Sequence, residues 1–497
     1  MTSTTAPIPL KTIVIVGGGT AGWIAAAMLA RFVPRATKIR LVESDAIGTV
    51  GVGEATIPQI RLLTAALGID ENAMLAATQG TFKLGIEFVD WNGPGSRYMH
   101  AFGAVGRGLG VVPFHHHWLR ARAAGLAAPL GDYIASARAA ADARFDRHPD
   151  LAYAYHFDAT LLARWLRGLA EGSGVDRIEG RIVTAHRDGE SGDLTSVTLD
   201  DGRTVEGDFF LDCSGFRSLL LGETLGVAFE DWAHWLPCDR AMAVACETTT
   251  PLLPYTRATA RPVGWQWRIP LQHRTGNGLV YAAPHLSDDE AAARLLANLD
   301  GAAIGDPRPL RFATGKRARF WDHNVIALGL ASGFMEPLES TSIHMVQSAV
   351  ARLLALFPSA DDTGAARDAY NRQTHGEYDR IRDFLILHYH ANGRDEPFWQ
   401  GCCDTPLPEA LADKIAQFRA GAILTQDATD LFTDPAWLQV MIGQGITPAT
   451  WSPLAEGLSE AQLDRFLGEI RARHAALAAS LPDHAQMIAR QCAAPSR

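Results

Sequence analysis

The chain has 497 residues, 47% of them hydrophobic and 20% charged, which is enough apolar content to bury a large core across two or three domains or one continuous cofactor-binding unit. A net charge of -10 argues against a nucleic-acid-binding or anionic-membrane surface. No apolar run approaches roughly 18 residues, so no membrane-spanning helix is expected.

The Thr-rich start lacks a basic region followed by an apolar one, and the first apolar run leads straight into glycines, so it reads as a strand and not as a signal peptide. Residues 12–16 have the continuous apolar character of a buried parallel strand. Gly17-Gly18-Gly19-Thr20-Ala21-Gly22 follows, then a helical stretch from Trp23 to Ala30, then a strand from Lys38 to Val42 ending in Glu43. This is a complete β-turn-α-β unit with a dinucleotide fingerprint. Gly17 permits the tight turn, Gly19 lets backbone amides approach a pyrophosphate, and Gly22 allows close helix–strand packing at a helix N-terminus that favours an anion. Glu43 stands where a ribose is expected to donate hydrogen bonds. The alternative is a Rossmann-like unit without a nucleotide.

Lys83 lies between Phe82 and Leu84, and an ammonium in an apolar setting is costly unless it has a partner or a task. Its ordinary alternative is a solvated surface amine. His115-His116-His117 cannot easily converge on one ion, because consecutive side chains point apart on helix and strand alike. A loop or partly exposed segment is expected there, and no metal is assigned. Residues 180–211 read as a meander of three strands with polar turns at Asp188-Gly189 and Asp200-Asp201-Gly202, leading through Phe209-Phe210-Leu211 into the turn Asp212-Cys213-Ser214-Gly215.

Trp265-Gln266-Trp267-Arg268-Ile269-Pro270 places two indoles on one face of a strand. Pro270 should end that strand or confine it to an edge. Alone, the hexapeptide is most simply an aromatic pair in the core. Residues 322–333 repeat the strand-into-glycine pattern, Met335 and Met345 read as core, and from about 345 onward the spacing is helical. The six cysteines (Cys213, Cys238, Cys246, Cys402, Cys403, Cys492) show no zinc-like spacing, and adjacent Cys402 and Cys403 suit no ordinary disulfide. A reducing cytoplasm is the expected setting.

Five separated segments carry a family resemblance in order: Gly17–Gly22, Gly51-Val52-Gly53-Glu54-Ala55-Thr56-Ile57-Pro58, Thr81-Phe82-Lys83-Leu84-Gly85, Trp265–Pro270, and Glu336-Pro337-Leu338-Glu339-Ser340-Thr341. From about residue 12 to about 455 the chain resembles the flavin-dependent halogenases of the tryptophan-halogenase family. The resemblance implies an α/β fold: a flavoprotein-monooxygenase-like FAD domain (Rossmann-type βαβ with a β meander), a substrate-binding sheet and a largely helical C-terminal region. The expected division is 1–90 and 176–230 in the FAD domain, 91–175 a substrate-region insertion, 231–320 the substrate sheet, 321–355 the flavin and halide loop and helix, and 356–497 the helical region.

By that resemblance FAD, used as FADH2, is held by Gly17, Gly19, Thr20, Ala21, Gly22, Glu43, Gly53, Glu54, Ala55 and Gly333. Hypohalous acid made at the flavin travels by an internal tunnel to Lys83, which either hydrogen-bonds it or forms a haloamine. Glu339 aligns with the catalytic carboxylate, polarising the oxidant and taking the proton lost from the aromatic ring, although it would also serve as a helix N-terminal carboxylate. The halide, chloride or bromide, falls to Thr341 and the next residue, usually glycine and here Ser342. Trp265 and Trp267 form a barrier between flavin and substrate.

His100 and Phe102, within Tyr98–Gly103, are expected to flank an indole ring, with Phe398 and Trp399 as the opposite wall. The chain departs from free-tryptophan enzymes at Tyr389-His390, where those have a Tyr-Tyr pair, and in a shorter loop before Phe398. Indole or a larger indole compound therefore stands beside tryptophan as substrate. No second nucleotide fingerprint is present, which implies a separate flavin reductase as partner, and the helical C-terminal third could contribute a homodimer interface. The alternative functions are a flavin-dependent aromatic hydroxylase and, further off, a non-enzymatic flavin-binding redox protein.

Overall fold

The expected β-turn-α-β unit forms as Thr12–Val16, helix Thr20–Phe32 and Lys38–Glu43 in a computed structural model that describes residues 8–47, 53–359 and 364–495. Its strands lie in a six-stranded sheet ordered Trp321–Asp322, Val325–Ala327, Phe209–Asp212, Thr12–Val16, Lys38–Glu43, Asp176–Glu179, parallel except for the first pairing. Ile13, Val14 and Ile15 are fully buried, as a parallel strand covered on both faces requires. The meander forms as Ile182–Arg187, Leu194–Leu199 and Thr204–Glu206, an antiparallel sheet from which the chain returns through Phe209–Asp212 to pair with the first strand.

Trp265–Pro270 is an interior strand of a seven-stranded sheet, flanked by Thr256–Ala260 and Thr275–Tyr281. Pro270 ends it, opposite Thr275, because the chain turns at once through Leu271 to Arg274 and no further ladder donor is needed. The same sheet takes Gly85–Val89 and Arg97–Ala101, one strand from either side of the expected boundary at residues 90 and 91. A further sheet joins Gly53–Ala55 and Thr81–Lys83 to opposite edges of Ala154–Asp158. Nothing in the composition of Ala-Tyr-His-Phe-Asp marks that middle strand, yet it couples the flavin loop to the lysine strand.

The C-terminal part is helical as anticipated, with Ser342–Ala355, the 26-residue Ala365–His390, and five further helices to Gln491. No helix among the described residues is long and apolar enough to cross a membrane. All six cysteines are free. Met335 is core and Met345 packs partly buried against it.

The histidine triplet corrects an expectation. His115, His116 and His117 lie in helix Phe114–Ala123 and are buried, neither in a loop nor exposed. Successive helical positions turn the three rings to different neighbours: His115 Nε2 donates to the Ala422 carbonyl at 2.9 Å, His116 Nδ1 accepts from the Ser452 amide at 3.2 Å, and His117 meets Phe466 edge-on. Burial lowers all three, His116 to about 4, so they act as neutral packing groups. C-terminal segments far away in sequence supply that cover.

Candidate active site

The glycine fingerprint makes an uncapped anion cradle. A Cβ on Gly17 would lie 2.3 Å from the Cys213 carbonyl oxygen and one on Gly22 would lie 1.9 Å from the Gly17 oxygen, so turn and helix close too tightly for any side chain. Gly19 faces open space. It caps a helix whose first turn, opening with Thr20 and Ala21, has neither a side-chain cap nor an acidic residue, leaving backbone amides for a pyrophosphate. That donor set fits a dinucleotide such as FAD. Glu43 ends its strand as expected, but its carboxylate lies over Gly18 and takes Arg177 Nε at 2.5 Å, so a ribose would share it with a guanidinium.

Gly51 and Val52 lie outside the described residues. Gly53, Glu54 and Ala55 form the strand that follows, where burial pushes the Glu54 carboxyl up to about 7. Gly53 lies against the far end of the tryptophan strand: its added Cβ would meet Ile269 Cγ2 at 3.4 Å and Gly276 Cα at 3.7 Å. Gly333 packs instead on protein backbone, since a Cβ there would lie 2.6 Å from the Gly315 oxygen.

Trp265 and Trp267 do share one face, with ring centroids 6.2 Å apart, and both are buried. Gly278, directly across from Trp267, makes room for it: a Cβ there would sit 2.1 Å from the tip of that indole. The Trp265 indole N–H donates to Glu336 Oε2 at 2.7 Å. The wall is thus fixed at one end to the flavin loop and at the other to the segment that carries Glu339.

Lys83 is 0% exposed. Its strand Thr81–Lys83 is tied to the end of the tryptophan strand by Thr81 Oγ1, which donates to the Pro270 carbonyl at 2.7 Å. Because that hydroxyl is spent as a donor, His156 Nδ1 donates to it at 2.9 Å and His156 Nε2 accepts from Thr256 Oγ1 at 2.9 Å. Lys83 Nζ donates to Ser340 Oγ at 2.8 Å and lies 5.4 Å from the Phe102 ring centre. Burial lowers the Lys83 amine from 10.5 to about 7, against the opposing pull of the Glu339 charge.

Glu339 is 1% exposed. It closes the short helical turn Pro337–Glu339, after which Ser340 takes a left-handed conformation (φ +59°), at a strain of about 1 kcal/mol. His100 Nδ1 lies 2.9 Å from Glu339 Oε2, and His388 Nε2 lies 2.9 Å from Oε1. Burial alone would raise this carboxyl, but the two imidazoles outweigh it and hold it at about 2. His388 was not anticipated from the sequence; it is 49 residues from Glu339, in an ordinary helical run. Thr341 is buried at the N-terminus of helix Ser342–Ala355, whose first turn has no side-chain cap and no acidic residue, so its backbone amides are left without a side-chain partner.

His100 and Phe102 follow Lys83 across the strand pairing Gly85–Ala101, where a Cβ on Gly85 would strike the His100 oxygen at 2.5 Å. Phe384 and Phe432 are the rings packed near His100, at 5.7 and 6.3 Å. Trp399 stacks on Tyr389 and meets Trp91, and Phe398 meets His285. Tyr389 is turned inward, its hydroxyl donating to Glu336 Oε2 at 2.5 Å. Behind Phe432 and Trp437 a cleft of about 130 Å³ opens, lined also by Arg380, Lys414, Asp427 and Asp430. Among the described residues no cluster of His, Cys, Asp or Glu is arranged to hold a metal.

A family model described as tryptophan halogenase matches residues 12–460. A tryptophan 6-halogenase of Streptomyces toxytricini, SttH, is 33% identical over 515 residues, covering 96% of this chain and 97% of the relative. Among solved structures, Xcc4156, a flavin-dependent halogenase from Xanthomonas campestris, superposes with a TM-score of 0.97 at 48% identity, covering 99% of this chain and 100% of that one. BrvH, a flavin-dependent halogenase from Brevundimonas sp. BAL3, follows at 0.93 and 45%, covering 98% and 99%.

Proposed function

The chain belongs to the tryptophan halogenase family, and from that premise we propose that it halogenates an indole-type aromatic at Lys83 and Glu339, with FADH2, O2 and chloride or bromide as co-substrates. The observation that carries this reading is the buried contact among Lys83, Ser340, Glu339 and His100, in a chain that also presents the glycine cradle and the Trp265–Trp267 pair. When bound, reduced flavin with O2 and halide supplies hypohalous acid, and a separate flavin reductase renews the reduced form.

The chain's own residues then act as follows. The amides at Thr341 and Ser342 hold the halide, and the paired indoles keep the aromatic substrate away from the flavin. Lys83 Nζ receives the oxidant, as a hydrogen-bond partner or as a nucleophile; an amine held at about 7 has both forms at hand near neutral pH. Ser340 Oγ aims that nitrogen. Glu339, ionised between His100 and His388, steadies the positive ring formed on halogen transfer and takes its proton at Oε1 or Oε2.

Tyr389, committed to Glu336, is withdrawn from binding a free amino acid, which supports indole or a larger indole compound over tryptophan. The charged cleft behind Phe432 would suit the polar part of such a molecule. The purified protein with FAD, flavin reductase, NADH, O2, halide and an indole panel should give a halogen isotope pattern by mass spectrometry. That pattern should vanish in Lys83→Ala while flavin oxidation continues. Hydroxylated product formed without halide would establish the hydroxylase instead.

A further inference from the structure

Glu336 has no task in the chemistry above, yet it is as buried as Glu339, at 1% exposed. Its Oε2 accepts the Trp265 indole N–H at 2.7 Å and the Tyr389 hydroxyl at 2.5 Å, while its Oε1 is buried with no hydrogen-bond partner. No lysine or arginine pairs with it among the described residues. A buried carboxyl without a cation is costly, so this one would not persist for stability alone. Burial raises it to about 7 against the two donated hydrogen bonds, in contrast to Glu339 three residues later.

The two carboxyls are received by consecutive residues of one helix. His388 and Tyr389, at the end of Ala365–His390, meet Glu339 and Glu336 respectively. Tyr389 is itself fixed by stacking on Trp399, and Trp399 and Trp265 both pack on Trp91. The barrier indole, the turn Pro337–Glu339 and the helix end are therefore joined through one side chain.

We infer that Glu336 is a positioning residue that locks Trp265 of the barrier to the same helix end that orients Glu339, so that barrier and catalytic carboxylate hold one geometry. This rests on the barrier role proposed for the indoles. Glutamine closely matches a neutral carboxyl: its amide oxygen accepts both donors and its NH2 replaces the unpartnered Oε1. Leucine fills similar space and accepts nothing.

The test compares wild type, E336Q, E336L, Y389F and W265A as full-length proteins. In 1H–15N spectra the Trp265 indole N–H, assigned by its absence in W265A, should be protected from solvent exchange in wild type and E336Q. In E336L its protection should fall about five-fold or more, as expected for loss of a buried hydrogen bond. With flavin, reductase and bromide, the fraction of flavin turnovers yielding bromoindole should drop by a similar factor in E336L, at an unchanged KM for indole, and be restored largely in E336Q.

Y389F keeps the ring stack and loses one donor, so it carries the test if E336L fails to fold; a smaller loss in the same direction is expected. A folded E336L, or Y389F in its place, with wild-type protection and wild-type coupling overturns the inference. If W265A itself keeps wild-type coupling and product, the barrier role fails and the inference with it. If W265A uncouples and neither E336L nor Y389F does, only the inference fails.

Discussion

His388 Nε2 lies 2.9 Å from Glu339 Oε1 while His388 Nδ1 faces the Phe384 carbonyl at 2.9 Å. A carbonyl only accepts, so His388 Nδ1 donates to it, and Nε2 is the nitrogen turned to the carboxylate. One imidazole thus reaches the Glu339 carboxylate from a helix that contributes no recognisable motif.

Removing that imidazole leaves Glu339 with a single ring partner. His388→Phe should lower kcat for indole bromination about ten- to hundred-fold, the equivalent of about 1.4–2.7 kcal/mol. The KM for indole should change little, and steady-state kinetics across indole concentration separates the two parameters.

Lys83 should give the enzyme a distinctive stability profile. Below pH 7 both folded and unfolded chains carry its proton, and the fold bears the cost of a buried ammonium. Between about 7 and 10.5 the folded chain releases the proton while the unfolded chain keeps it, so wild-type stability from this group climbs with pH. The Tm difference between Lys83→Met and wild type should therefore be most in favour of the variant at or below pH 7 and shrink as pH rises above it.

Glu336 should act with the opposite sign in a lower window. Its folded carboxyl keeps a proton up to about 7 that the unfolded chain loses near 4.5, so wild-type stability from this group falls as pH rises from 4.5 to 7. The Tm of Glu336→Gln relative to wild type should rise across that interval and level off above it, as read by thermal denaturation in matched buffers.

Gly278 offers a way to move the barrier without touching either indole. Gly278→Ala puts a methyl 2.1 Å from the Trp267 ring tip, an overpacking expected to cost about 1–3 kcal/mol. Denaturant unfolding should show that loss, and the bromoindole yield per flavin turnover should fall with it. A neutral effect on both would mean the ring relaxes freely.

Ser342 opens helix Ser342–Ala355, at the uncapped helix end proposed to hold the halide. Ser342→Gly should shift the ratio of brominated to chlorinated indole in a mixed-halide assay by about three-fold or more, corresponding to roughly 0.7 kcal/mol in an anion contact. An unchanged ratio would remove Ser342 from halide choice.

What the sequence determined about this protein is the chemistry written into local backbone and side-chain type. Gly17 and Gly22 announce a tight turn because only glycine fits there, and Gly19 leaves bare amides facing open space. Alternate Trp265 and Trp267 must share a face of any strand they form, and Lys83 between two apolar residues signals a buried amine. The tertiary structure alone decided the partners. Ser340 meets Lys83 across 257 positions and His100 meets Glu339 across 239, while the Tyr389 hydroxyl is taken by Glu336. The histidine triplet became helical core because distant C-terminal segments cover it, and Trp399 joined Trp91 and Tyr389. Such pairings depend on how helices and sheets pack over long separations, and neither the period nor the composition of any one segment encodes which face will meet which.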